Sequence, residues 1–135
     1  MRSAAAPEAR RPRTYQLTIA LPRTVRLSVG RLGSFDFPAG RYVYTGSALR
    51  GIEARVRRHL SRAKRAHWHI DYLRTAPGAR IVGVSLFGGG ECARNRRTPG
   101  GIVAPGFGAS DCAAGCGSHL KYIGAANESH EDVIR

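Results

Sequence analysis

The hydrophobic period changes at Gly46, and that change constrains the fold more than any other feature of the chain. Up to Tyr44 apolar residues recur at every second position. Tyr15, Leu17 and Ile19 do so in YQLTIAL, Val25, Leu27 and Val29 in TVRLSVG, then Phe35 and Phe37, then Tyr42 and Tyr44 in RYVYTG. Period two is the signature of strands with one buried face, and the Gly and Pro residues between the runs mark turns. After Gly46 the spacing becomes Ile52, Val56, Leu60, one face of a helix, with Ser47 as the expected N-cap. HWHIDYLR predicts a second helix with Trp68 and Tyr72 stacked one turn apart, stopped by Pro77-Gly78. ARIVGVSLF predicts a buried strand, ECARNRR a short helix and SHLKYI a last strand. Strands first and helices interleaved later give an α+β domain with a central antiparallel or mixed sheet flanked by helices.

A chain of 135 residues holds one domain and can bury a core without disulfides or metal. Residues 13–124 carry the periodic segments. Residues 1–12, rich in Ala, Pro and Arg, read as a disordered basic arm, and 125–135 as a polar tail. No apolar segment is long enough to span a membrane, and the N-terminus lacks the apolar run of a secretory signal. With three cysteines, an odd number, the expectation is a cytoplasmic protein with reduced thiols.

The formal net charge is +13, from 22 Lys and Arg against 9 Asp and Glu. All but Lys64 and Lys121 are arginines. A GC-rich genome explains arginine in place of lysine but not the excess of charge. Guanidinium suits bidentate phosphate recognition, so a nucleic acid is the leading expected partner. On the helix after Gly46, Arg55, His59 and Arg62 share a face, with Arg58 beside it. Like charges at that spacing repel, by roughly 0.2–0.5 kcal/mol per pair, and a bound anion relieves them. Candidate contacts to a nucleic-acid backbone are Arg41, Arg50, Arg58 and Arg62, with His67 and His69 at the rim.

The strand ahead of this helix adds chemistry. Guanidiniums near Tyr44 are expected to lower its phenol pKa and make it a better base for activating water. Arginine beside it can hold a phosphate oxygen, and one carboxylate for a divalent metal completes the parts of a phosphodiesterase. Cys112, Cys116 and His119, at spacings C-x3-C and C-x2-H, have two readings. They are ordinary reduced thiols and a histidine, or with Cys92 the four ligands of a zinc site.

YVYTGSALRGIEARVRRHL resembles the second half of the GIY-YIG nuclease motif: Tyr44-Thr45-Gly46, a serine, then Arg55 and His59 on a helix. PRTYQLTI is similar to the first half, with Tyr15 as its tyrosine. HWHIDYL and VAPGFGASDCAAGCGSHLKY look like the small prokaryotic Uri-type subfamily, so the resemblance covers roughly 13–123. It implies a compact α/β sandwich around an antiparallel sheet, and metal-dependent hydrolysis of DNA phosphodiester bonds, with RNA left open. The implied roles are Tyr15 or Tyr44 as or beside the general base, Arg55 as phosphate clamp and His59 as proton relay. Glu91 is the implied ligand of Mg2+ or Mn2+, with Glu53 and Asp71 as alternative ligands. Two departures stand out. Arg13 replaces the first glycine of the motif, and the long segment between Tyr15 and Tyr44 must be an inserted hairpin that still brings the two strands together. A non-catalytic nucleic-acid-binding module on the same fold is the rival expectation.

Overall fold

The computed structural model describes residues 12–48, 51–61, 68–109 and 115–124. The basic arm (save Pro12) and the polar tail fall outside the described residues, as do Arg50, Arg62, His67 and Cys112. The described residues run through strand β1 (Thr14–Leu21), then β2 (Val25–Val29) and β3 (Gly33–Phe37), joined by a 3-10 turn, and β4 (Gly40–Ser47). Helices α1 (Ile52–Leu60) and α2 (His69–Arg74) follow, then β5 (Arg80–Phe87), α3 (Glu91–Arg97) and β6 (Leu120–Gly124). Four strands form one antiparallel sheet in the order β5-β1-β4-β6, and β2 and β3 pair as a separate hairpin. This is an α+β fold.

The insertion between the tyrosine strands leaves their pairing intact. In the β1–β4 ladder Tyr15 lies opposite Gly46 and Leu17 opposite Tyr44. The β2–β3 hairpin folds away and packs on α2 and on the core through Phe37 and its edge-to-face contact with Phe107.

Strand alternation divides the sheet into an apolar and a polar face. Tyr15, Leu17, Ile19 and Leu21, with Tyr42, Tyr44 and Leu120 across the ladders, build the core with Ile70 and Leu73 of α2. The opposite face carries Thr14, Gln16, Thr45 and Lys121 and is tied to α3 by polar contacts. Gln16 Nε2 donates to Thr45 Oγ1 and Thr98 Oγ1, and Lys121 Nζ to the Asn95 and Thr98 carbonyls. An ammonium on the last carbonyls of α3 satisfies orphan acceptors and complements the helix dipole.

Four local expectations are corrected. Ser47 ends β4 instead of capping α1, and the N-cap is Gly51, in the left-handed region at φ 62° that glycine tolerates. Ile52 and Val56 pack on the core as expected, but Leu60 is 48% exposed and His59 is the buried residue of α1, where its ring meets Tyr15. Trp68 precedes α2 in extended conformation and does not stack within it. β5 is an edge strand with Val84 and Leu86 41% and 44% exposed, because only β1 pairs with it.

Candidate functional site

The site forms where β1 begins and β4 ends. Gly46 and Ser47 are successive residues and therefore serve opposite faces of the sheet. On the apolar side the Tyr15 ring lies over Gly46: a Cβ there would stand 2.5 Å from the Tyr15 Oη. The absent side chain lets the tyrosine hydroxyl reach His59 Nε2 at 2.8 Å, a buried hydrogen bond between β1 and α1. The Arg55 guanidinium lies close enough for its charge to act on the same phenol. On the polar side Ser47 Oγ donates to Glu91 Oε1 at 2.5 Å, and its main-chain carbonyl accepts from Arg55 Nη1 at 2.9 Å. Ser47 thus links the arginine of one layer to the carboxylate of the other. Glu91 Oε2 lies 2.8 Å from His119 Nδ1, in the loop that enters β6.

The packing around this cluster is aromatic and cationic. Trp68 presents its ring to both Arg55 and Arg58, whose guanidinium carbons lie 4.6 and 4.3 Å from its centroid. Arg58 makes a two-pronged pair with the buried Asp71 at 3.1 Å on each oxygen, and Asp71 Oδ2 also accepts the Trp68 N–H. Arg74, itself buried, donates Nε to the His59 carbonyl and its two terminal nitrogens to Ala79 and Leu60 carbonyls. The last turn of α1, and His59 with it, is held in place this way.

The electrostatics correct the expectation of an acidified tyrosine. Burial pushes Tyr15 up to about 12, outweighing the lowering by Arg55, and Glu91 and Asp71 add to the rise. Tyr44 is raised further, again by burial first and then by the charges of Tyr15 and Glu91. A low-dielectric site penalises phenolate more than a nearby guanidinium favours it. Burial also raises Glu91, but hydrogen bonds from His119 and Ser47, with the charges of His119 and Arg55, hold it below the usual carboxylate value.

Two predictions follow from packing and charge. Gly46→Ala drives a methyl into the Tyr15 hydroxyl, so thermal unfolding should show a loss of about 1–3 kcal/mol, the usual cost of overpacking. An unchanged midpoint would contradict the Tyr15–Gly46 contact. The raised tyrosines make the native state the stronger proton binder above pH ~10. Their stabilisation is complete below that pH and is lost as pH rises through about 12, the Tyr15 value, with Tyr42 and Tyr44 higher still. The melting temperature should fall across that window, with tyrosinate absorbance rising together with unfolding.

The structure therefore gathers Tyr15, Tyr44, Arg55, His59 and Glu91. Tyr44 stands beside Tyr15 and His59, with ring centroids 6.4 and 6.1 Å away. Other residues read as nucleic-acid contacts have different surroundings. Arg41 lies near the opposite end of β4, about 20 Å from Ser47 at ~3.3 Å per residue. Arg58 is engaged with Asp71 and Trp68. His69 Nδ1 accepts the Gly108 N–H at 2.8 Å, and burial lowers its pKa. Of the alternative metal ligands, Asp71 is held by Arg58, and Glu53 is exposed on α1. Sequence reasoning missed Arg74 as part of the site, gave Ser47 no contact beyond its place after Tyr44-Thr45-Gly46, and read Trp68 as a core residue or part of a rim cluster with His67, His69 and Asp71.

Fold and site together define an α+β domain that joins a tyrosine–histidine pair, a guanidinium and a carboxylate at one end of an antiparallel sheet. The chain belongs to the family described as Domain of unknown function DUF123, which matches residues 14–135. Neither a curated protein nor a solved structure matches it. Among the described residues no helix is long and apolar enough to cross a membrane.

Proposed function

We propose that this chain is a metal-dependent endonuclease of GIY-YIG type that hydrolyses DNA phosphodiester bonds. The observation that carries the reading is the convergence of Tyr15, Arg55 and His59 with Glu91 about the Gly46-Ser47 step. The net charge of +13 supports a polyanionic substrate.

Tyr15 keeps its proton at neutral pH, so it works as a relay. As water attacks phosphorus, the Tyr15 oxygen takes the water proton and passes its own to His59 Nε2. The phosphorus–oxygen bond opposite the water breaks, and the leaving oxygen is protonated from solvent. Arg55, already beside the Tyr15 oxygen, holds a non-bridging phosphate oxygen and stabilises charge developing there. Glu91 fits a hard divalent ion. It is kept ionised, and each oxygen spends one lone pair on Ser47 or His119 and retains another. Magnesium commonly uses one or two protein carboxylates, with waters and substrate phosphates filling the remaining positions. Magnesium or manganese on Glu91 would neutralise charge on the phosphate and the leaving oxygen.

The test is incubation of the purified protein with single-stranded, duplex and branched DNA, and with RNA, plus Mg2+ or Mn2+. Metal-dependent cleavage is expected, reduced by roughly 10²–10⁴-fold in Tyr15→Phe, which removes the relay hydroxyl and leaves the ring packing. Salt-sensitive binding without cleavage of any substrate would favour the rival, a binding module without catalysis. Cleavage of RNA alone would reassign the substrate.

A further inference from the structure

A second cluster of ligand-type side chains lies behind Glu91. Cys92, the second residue of α3, Cys116 of the following loop and His119 place their ligand atoms within 4.8 Å of one another. Cys92 Sγ and His119 Nε2 are 3.7 Å apart. Zinc bonds of about 2.3 Å to sulfur and about 2.0 Å to nitrogen, at tetrahedral angles, put such a pair about 3.5 Å apart. The two cysteines are thiols, not disulfide-bonded.

The orientation of His119 is a second, independent observation. Its Nδ1 faces Glu91 Oε2 at 2.8 Å. A proton on Nδ1, facing that carboxylate, leaves Nε2 as a lone pair on the side of the sulfur. This carboxylate–histidine arrangement sets the tautomer of a metal-bound imidazole and raises its basicity.

We propose that Cys92, Cys116 and His119 bind a zinc ion that pins the loop before β6 to the start of α3. The site is chemically distinct from the hard-metal position on Glu91, because thiolates select zinc over magnesium or manganese. It stands whether or not the chain cleaves nucleic acid. A fourth donor completes the tetrahedron from outside these three side chains. Bound zinc holds the His119 ring with its Nδ1 facing Glu91, so the soft site positions the carboxylate of the neighbouring one.

The experiment uses the full chain, purified under reducing conditions from zinc-supplemented medium. Elemental analysis is expected to find a single equivalent of zinc per chain. Cobalt titration of the zinc-stripped protein is expected to give thiolate charge-transfer absorption and the strong visible bands of tetrahedral Co2+. Cys116→Ser, a loop substitution that leaves the sheet core untouched, should lose the bound zinc and weaken the charge-transfer band. Chelation should lower the melting temperature of the wild-type chain and leave Cys116→Ser unchanged. Substoichiometric zinc with no cobalt–thiolate band in the folded wild-type chain overturns the proposal. So does full zinc retention in a folded Cys92→Ser/Cys116→Ser double variant.

Discussion

Arg55→Ala is expected to lower metal-dependent cleavage by on the order of 10²–10³-fold, with the fold retained, as when one preorganised charge donor is removed from other active sites. Two contacts fix the side chain before any substrate arrives. Its guanidinium stacks on Trp68 and donates to the Ser47 carbonyl. Those contacts give the arginine a low reorganisation cost when a phosphate binds. Arg55→Lys should recover little activity, because an ammonium lacks the planar fork that can serve the carbonyl and a phosphate together. Single-turnover cleavage separates this effect from weakened binding. The stability loss should be about 1 kcal/mol, from one hydrogen bond and one cation–π contact. Wild-type cleavage rates in a folded Arg55→Ala protein would overturn the assigned role of the arginine.

Asp71→Ala should give the largest stability effect, about 3 kcal/mol by urea unfolding. Asp71 is 1% exposed and accepts from both terminal nitrogens of Arg58 and from the Trp68 N–H. Breaking a buried pair leaves an uncompensated charge and commonly costs 3–5 kcal/mol; the lower end applies because the Arg58 side chain is 29% exposed. Asp71→Asn retains one acceptor and should lose less. Since Asp71 holds Trp68, and Trp68 stacks on Arg55, the same variant should also loosen the arginine. A change below ~0.5 kcal/mol would mean that the pair is solvent-screened like an ordinary surface ion pair.

The contrast between Asp71 and the tyrosines shows where reading the residues succeeds and where it stops. Strand alternation and turn residues placed β1 to β4 correctly, and the set Tyr15, Tyr44, Arg55, His59 and Glu91, implied by the family resemblance, lies together in space. The protonation of those groups did not follow. Proximity to arginine argued for an acidic phenol, whereas desolvation in the packed site dominates and raises Tyr15 to about 12. Burial is a property of the whole packing, and nothing in the local sequence reports it.

By itself the sequence determined the period change at Gly46, the α+β class and the strong positive charge. Those are local properties: side chains alternate along a strand and repeat every 3.6 residues along a helix wherever the segment lies. Only the tertiary structure decided which face of α1 turns inward, that Ser47 joins Arg55 to Glu91 across the sheet, and that β5 lies at the edge. It also set His119 between Glu91 and Cys92. Each of these depends on contacts between segments far apart in the chain, whose free energies are settled by the packing of the whole domain.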